Sequence, residues 1–405
     1  MEVIFDKKER KQKTGIKVMS FSFFILSILN INSTTLALSR CRVGLFLCLC
    51  VYLMYLLYTR QIKRSWITKW VILWFAYAVF EMINTMLYDE LYMKQCVALF
   101  IEIILIFLIS NEHYNAKEIK TVFYSVILTA TIFSIILIFY GYAYSGFAGR
   151  RSIKIQGHEA IDPNFIAAFI VMGCMLTYVK ILYQWQAKIR NLFQIVWIGC
   201  FILQTTAILL TSSRGALVAM AVGIIWGYIT YLKGISVKRK IIWIMLSFLL
   251  LFIGIRFLLL VIPQSQIVRL FSFRSYAGGG GRITLWKNSL EVISNSPLFG
   301  FGYASSQAKY KLINIENSFA HNTYLIIFET YGLIGGILYL SSYGIITYKL
   351  WRMKKELLMA FWVTSCSAIF FLGGLGALIE VLPLLLMLVY TKFMDEGGRR
   401  EQVFL

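Results

Sequence analysis

Residues 192–232 read LFQIVWIGCFILQTTAILLTSSRGALVAMAVGIIWGYITYL, two apolar runs separated only by the polar turn at 211–215. Each run can cross a bilayer core of about 30 Å, because a helix rises about 1.5 Å per residue. In lipid, a helix satisfies its own backbone hydrogen bonds. Twelve such runs recur along the 405 residues, at about 18–39, 43–58, 68–88, 91–110, 119–141, 163–183, 192–211, 215–232, 241–262, 322–348, 357–374 and 377–394. The sequence therefore predicts an all-α, polytopic integral membrane protein with about 12 transmembrane helices.

Composition supports this class. The chain is 59% hydrophobic and only 15% charged, whereas soluble domains carry about 25% charged residues. The seven cysteines fall in or beside apolar runs, without the paired spacing of a zinc site. We interpret them as small buried hydrophobes, and we predict neither a metal site nor a cofactor.

The basic residues predict the orientation. With the N-terminus inside and twelve spans, 26 of the 40 lysines and arginines fall in cytoplasmic segments, as membrane proteins prefer. Both termini are then cytoplasmic. Most of the net charge of +21 lies close to anionic lipid headgroups, so it requires no nucleic-acid partner.

One long stretch, 263–321, does not fit a bilayer, and this orientation makes it a large extracytoplasmic loop in a single membrane domain, 1–405. Ile283, Trp286, Leu290 and Ile293 recur at helical spacing, which predicts a short amphipathic surface helix over about 282–296. Nine of the remaining 14 basic residues lie in the outer loops around 150–154 and 263–311. Because basic residues are disfavoured on this face, an anionic ligand is indicated.

Two polar clusters precede the long loop. Arg150 and Arg151 lie in the outer loop that ends at Asp162-Pro163, a pair typical of a capped helix start. The second cluster is TSSRGA at 211–216. Its Arg214 could merely extend to the membrane interface, but Ser212, Ser213 and the Gly215 backbone at a helix N-terminus also suit an anion.

Two further clusters lie within the loop. Glycines 278–281 lead into Arg282, so that backbone N–H groups, including those of Gly280 and Gly281, could converge on an anion beside a guanidinium; the alternative is a flexible hinge. His321 and Asn322 stand where the chain re-enters the membrane. A histidine there is often a polar cap, yet next to a basic loop it is also a candidate proton acceptor.

In this order, RRSIKIQG…DPNFIAA, TSSRGAL, GGGGRITLWKNSL…SPLFGFG and HNTYLIIFETYGLIGG resemble the O-antigen ligase and polymerase family of bacterial envelope glycosyltransferases. The resemblance runs from about residue 150 to about residue 339. It implies a protein of the cytoplasmic membrane with about twelve transmembrane helices and one large outer loop. It also implies transfer of saccharides that are carried on a polyprenyl diphosphate, without a metal or a nucleotide sugar. The motif arginines of the family match Arg214 and Arg282, which the resemblance implies bind the lipid diphosphate. The motif histidine matches His321, which it implies activates the acceptor hydroxyl. Arg151 is a looser match.

We expect a metal-independent, inverting polymerase of capsular, exopolysaccharide or O-antigen repeat units. Its partners are a polyprenyl-diphosphate-linked oligosaccharide donor, a saccharide acceptor and the bilayer, with a chain-length regulator and a flippase as further candidates. The catalytic residues are expected to be His321, Arg282 and Arg214. The residues expected to bind substrate are Arg150, Arg151, Gly280, Gly281, Ser213 and Asn322. The alternatives are a ligase that transfers polymer to a lipid or protein acceptor, a transporter of lipid-linked sugars that uses Glu81, Glu102 and Glu380, and a scaffold for envelope assembly.

Overall fold

The structure is a computed structural model that describes residues 65–86, 93–111, 114–143, 150–153, 161–189, 192–233, 235–242, 282–311, 313–315, 320–354, 356–373 and 378–397, and a few isolated positions. The principal helices are α1 (Trp66–Met86), α2 (Met93–Asn111), α3 (Ala116–Tyr140), α4 (Pro163–Gln186), α5 (Phe193–Thr211), α6 (Arg214–Lys233), α7 (Arg282–Asn295), α8 (Ser306–Lys311), α9 (Thr323–Arg352), α10 (Glu356–Phe370) and α11 (Leu378–Asp395). Between α3 and α4, β1 (Tyr142–Ala143) pairs antiparallel with β2 (Arg151–Ser152).

The all-α, polytopic membrane class is confirmed. Nine of the twelve predicted spans coincide with helices in the part of the chain that the structure describes. Six of these are long and apolar enough to cross a membrane: α1, α3, α4, α5, α6 and α9. The predicted spans at 18–39, 43–58 and 241–262 lie wholly or mostly outside the described residues, so the total of twelve stays a prediction.

The chain divides into two compact units. The first unit contains α1, α2, the start of α3 to Ser125, α7, α8, α9 to Lys349, and α11. The second contains α3 from Val126, the β pair, α4, α5, α6, the end of α9 from Leu350, and α10. The single membrane domain and the extracytoplasmic position of the long loop stay predictions.

The first unit is organised around aromatic packing between α1 and α9. Trp74 is fully buried and meets the Tyr331 ring edge-on, with 4.7 Å between ring centroids. Tyr77 donates a hydrogen bond to the Tyr331 carbonyl oxygen at 2.7 Å. At the other end of α9, Lys349 forms an ion pair with Asp395 of α11. Contacts at both ends therefore fix α9 within this unit.

Helix α9 is broken at Gly332, which has φ +58° and ψ −164°. The turn at 296–303 enters this break and forms four backbone hydrogen bonds with it: Phe301 N to Glu329 O, Gly302 N to Thr330 O, Leu333 N to Pro297 O and Ile334 N to Leu298 O, at 2.8, 2.8, 2.8 and 3.1 Å. A Cβ at Gly332 would lie 2.3 Å from the Leu298 carbonyl oxygen. The SPLFGFG and ETYGL segments thus form one backbone junction.

The second unit packs around α4, which is buried along almost its whole length. Gly223 and Gly227 let α6 approach α10, since a Cβ at Gly223 would lie 3.0 Å from the Ala360 carbonyl oxygen. Between helices, the Gln204 amide accepts a hydrogen bond from Thr177 at 3.1 Å and donates one to Thr131 at 2.9 Å. These contacts fix α4, α5 and α6, whose adjoining ends carry the polar clusters.

Candidate active site

Helix α4 begins as the sequence predicted. Asp162 is its N-cap and accepts a hydrogen bond from the Asn164 N–H at 2.7 Å, and Pro163 occupies the first turn. The cap leaves the Asn164 side chain to serve other groups. Its Oδ1 accepts hydrogen bonds from Arg150 Nη2 at 2.9 Å and from Ser213 Oγ at 3.0 Å. A single amide oxygen therefore joins two of the sequence-predicted clusters.

Arg150 and Arg151 both hold backbone in place. Arg150 is buried, and its Nε donates to the Thr211 carbonyl oxygen at 3.0 Å, at the last residue of α5. Arg151 lies in β2 and donates from Nη1 to the Ile138 carbonyl oxygen at 2.8 Å. Burial of a guanidinium is costly unless it is hydrogen-bonded. These contacts give Arg150 and Arg151 a framework role, and their predicted contact with substrate stays a prediction.

Arg214 is the first residue of α6, immediately after a sharp turn. Ser212 ends α5 with φ +51°, in the left-handed region, and its N–H donates to the Leu209 carbonyl oxygen. The buried Ser212 hydroxyl has no hydrogen-bond partner within the described part of the chain. Gly215 packs against the Phe371 side chain, where a Cβ would approach to 2.4 Å. The turn thus presents a guanidinium and hydroxyls at a helix N-terminus.

Arg282 occupies the corresponding position on α7, as the first residue of the helix. Gly280 and Gly281, which the sequence placed in the same anion site, lie outside the described residues. Ser289 and Val292 form the buried positions of α7, while Ile283 and Leu290 are exposed. An exposed apolar stripe is what a helix lying on a membrane surface requires. Its location at such a surface stays a prediction.

His321 lies two residues before the start of α9. It is exposed and has φ +47°, in the left-handed region, which histidine adopts more often than most residues other than glycine. Asn322 follows it, and its Oδ1 accepts hydrogen bonds from the Tyr324 and Leu325 N–H groups at 3.0 and 3.3 Å. Asn322 therefore caps α9 and fixes the residue after His321. Thr323 adds a 2.6 Å hydrogen bond to the Glu380 carboxylate in α11.

A buried polar network in the first unit was missed by sequence reasoning. Glu329 in α9 accepts hydrogen bonds from Ser289 of α7 and, at 2.7 Å, from Tyr310 of α8. Lys309 donates to Thr330 Oγ1 at 3.0 Å. Glu329 thereby connects α7 and α8 to α9, the helix that begins two residues after His321. A carboxylate inside an apolar span was the available signal, but it gave no indication of these partners.

Burial lowers the pKa of Lys309 from its usual value near 10.5 to about 8, although Glu329 and Glu81 attract its charge and oppose this shift. Burial also raises the pKa of Tyr310 well above its ordinary range, and the Glu329 charge adds to that increase. Tyr310 therefore acts as a neutral hydrogen-bond donor near neutral pH. The network thus holds α7 and α8 against α9 through buried hydrogen bonds.

A search for metal-binding groups found no cluster of three or more histidine, cysteine, aspartate or glutamate side chains in the portion of the chain described by the structure. The metal-independent mechanism stays a prediction.

The clusters at Arg214, Arg282 and His321 all lie within one segment that matches a protein-family model. Residues 199–340 match the O-antigen ligase family model. This match confirms the resemblance seen in the motifs over the greater part of its extent. A search of curated proteins gave no match. Four chains of solved structures match. One comes from the structure described as "Structural coordination of polymerization and crosslinking by a peptidoglycan synthase complex", with 15% identity and a TM-score of 0.43, covering 81% of this chain and 98% of that chain.

The segment that matches the O-antigen ligase model includes the turn between α5 and α6, all of α7, the backbone junction at Gly332, and α9 as far as residue 340. Arg150, Arg151 and Asn164 lie before it. The match supports a membrane enzyme of the O-antigen ligase and polymerase type, with a glycosyltransferase-like activity.

Proposed function

We propose that this protein is a polymerase that joins polyprenyl-diphosphate-linked oligosaccharide repeat units at the outer face of the cytoplasmic membrane. The observation that carries the proposal is the position of three motif residues inside the O-antigen ligase match. Arg214 and Arg282 are each the first residue of a helix, and His321 stands just before the start of a third. Helix N-termini carry partial positive charge and unsatisfied N–H groups, which favour an anionic group.

The arginines bind the leaving group in this proposal. The bond between the donor's anomeric carbon and its phosphate oxygen breaks, and polyprenyl diphosphate departs with the bonding electrons. Arg214 and Arg282 stabilise the negative charge that develops on its oxygens, since a guanidinium fork matches phosphate geometry. Loss of one well-placed donor of this kind costs about 10²–10³-fold in kcat.

His321 activates the acceptor. An acceptor hydroxyl oxygen forms the new bond to the anomeric carbon, and its proton passes to the His321 imidazole. Because the hydroxyl attacks opposite the leaving diphosphate in a single displacement, the anomeric configuration inverts. General-base catalysis contributes about 10²–10⁴-fold in rate. Asn322, Thr323 and Glu380 hold the backbone that positions this histidine.

The test is elongation of a purified lipid-linked repeat unit by the full-length protein in detergent. We expect wild-type protein to yield a ladder of longer lipid-linked glycans, and His321→Ala, Arg214→Ala and Arg282→Ala to lose at least about 100-fold in rate. Lys287→Ala is the matched control for Arg282→Ala, because Lys287 is an exposed cation on the same helix. Normal ladders from all three variants would contradict the proposal.

Acceptor choice separates the polymerase from a ligase. The reaction is run with the lipid-linked repeat unit alone and again with lipid A-core or an acceptor protein added. Products formed only with the added acceptor would assign a ligase.

A transporter is the second candidate, because the first unit buries carboxylates within its helices. Glu102 accepts a hydrogen bond from Tyr339 at 3.1 Å, and Glu81 accepts one from Asn84 at 3.2 Å. Such groups are expensive in a membrane and often mark substrate or proton pathways. Movement of a lipid-linked sugar across proteoliposomes, blocked by Glu102→Gln and without any glycan elongation, would assign this function.

A further inference from the structure

The first unit contains a cavity of about 730 Å³ that the proposed chemistry does not use. It lies between the C-terminal end of α1, the C-terminal end of α7, the turn at 296–305 and α8. Pockets for small ligands usually measure about 300–1,000 Å³, so this one has room for a short oligosaccharide. Its described lining residues include Asn84, Asn295, Phe299, Gln307, Lys309 and Lys311.

The lining has the chemistry of a saccharide site. Three primary amides, on Asn84, Asn295 and Gln307, can both donate to and accept from sugar hydroxyls. The Phe299 side chain is 42% exposed and offers an apolar face to a sugar ring. The lining residues that the structure describes include no arginine, and the charge of the buried Lys309 is attracted by Glu329. A diphosphate would require more fixed positive charge than this.

The wall of the cavity is firmly supported. Its turn is held by the backbone junction at Gly332, and Ser296 Oγ donates to the Gly300 carbonyl oxygen at 2.7 Å. Lys309 is anchored on Thr330 of α9. A supported wall reduces the ordering cost of binding.

Helix geometry relates the cavity to both proposed catalytic groups in this unit. Thr330, which holds Lys309, is seven residues from the start of α9, or about 10 Å of helix from the residues next to His321. Arg282 and Asn295 are the two ends of α7, so about 20 Å of helix separates the cavity from the proposed diphosphate contact. The path along the helices is therefore shorter to the group that would activate the acceptor than to the proposed diphosphate contact.

We infer that this cavity binds the acceptor glycan, several sugars away from the reacting hydroxyl. The inference rests on the proposed function for the identity of the acceptor. Binding of the glycan at a distance from the reacting hydroxyl keeps a lipid-linked acceptor oriented while its terminal hydroxyl contacts His321. The energy of this binding offsets the entropy lost when the acceptor is positioned for reaction.

The test uses two cavity variants, Phe299→Leu and Lys311→Gln, with Lys287→Gln as the matched control. Lys287 and Lys311 are both exposed lysines of the loop, but only Lys311 lines the cavity. In the elongation assay we expect each cavity variant to raise KM for the acceptor about 2- to 10-fold, the effect of one lost contact, and to leave kcat within twofold. The control is expected to keep both values. Unchanged KM in both cavity variants, or equal effects in Lys287→Gln, would overturn the inference.

A direct binding measurement distinguishes failure of this inference from failure of the proposed function. The probe is the repeat-unit oligosaccharide released from its lipid by mild acid, titrated onto full-length protein in nanodiscs, with inorganic pyrophosphate as competitor. We expect saturable binding that Lys311→Gln weakens and pyrophosphate does not displace. If this binding is seen without enzymatic elongation, the cavity assignment stands and the polymerase proposal fails. Competition by pyrophosphate, or no binding, overturns the glycan assignment.

Discussion

Replacement of Gly332 by alanine should disrupt the junction between the 296–303 turn and α9. An added Cβ would lie 2.3–2.5 Å from three backbone atoms of Leu298 and Phe299, which cannot move aside as a flexible side chain could. The glycine's φ of +58° and ψ of −164° fall in a region that is essentially restricted to glycine. The clash therefore forces the turn out of the break.

The magnitude follows from what the junction holds. Four backbone hydrogen bonds, each worth about 0.5–1.5 kcal/mol net, are at risk, and backbone strain adds about 1–3 kcal/mol. The combined loss of about 3–9 kcal/mol is a large part of the stability of a typical domain, about 5–15 kcal/mol. We expect Gly332→Ala to lower sharply both the yield of folded protein and its unfolding temperature in detergent.

Gly344→Ala is the matched control. Gly344 lies in the same helix, and a Cβ added there meets no atom within 4 Å. Alanine is favoured over glycine in a helix interior by about 0.5–1 kcal/mol, so this variant should unfold at or slightly above the wild-type temperature. An unfolding temperature for Gly332→Ala within about 2 °C of the wild type would refute the junction's role.

Three further predictions concern other groups. Asn164→Leu removes the acceptor shared by Arg150 and Ser213 and should destabilise the second unit by about 1–3 kcal/mol, while Asn164→Asp should retain most of the wild-type unfolding temperature. Because Lys309 loses its proton near pH 8 when folded but near 10.4 when unfolded, the unfolded state binds more protons between these values. Stability should rise with pH by up to about 1.4 kcal/mol per unit over this interval, and Lys309→Met should remove that rise in unfolding scans; equal pH profiles would contradict it. Asn322→Ala should cost about 1 kcal/mol through loss of the α9 cap, and Asn322→Ser should recover most of it; equal unfolding temperatures for the two would exclude a capping role.

The sequence predicted the parts of the fold that depend on local pattern. Apolar runs of about 20 residues correspond to helices with ends shifted by a few residues, and Asp162-Pro163 gave the start of α4. The same local reasoning placed Arg282 at the start of a helix. Periodicity and capping are properties of neighbouring residues, so these features are readable from one chain.

The remaining features depend on partners far apart in sequence. The role of Gly332 was not apparent from the sequence because its partner, the turn at 296–303, lies about 30 residues away. Arg150 donates hydrogen bonds to Thr211 and Asn164, and no local pattern in the sequence indicated these partners. The hydrogen bonds of Glu329 with Ser289 and Tyr310 became evident only in the folded unit. Local patterns contain no information on such pairings.

The most direct test of the proposed polymerase is single-turnover elongation of a purified, radiolabelled polyprenyl-diphosphate-linked repeat unit by full-length protein in detergent. The wild type is expected to release polyprenyl diphosphate and form a lipid-linked dimer of the repeat unit with an inverted anomeric centre. His321→Ala should do so at least about 100-fold more slowly while still binding the lipid-linked unit. A dimer formed at the wild-type rate by His321→Ala, or no dimer from wild-type protein that binds the unit, would contradict the proposal.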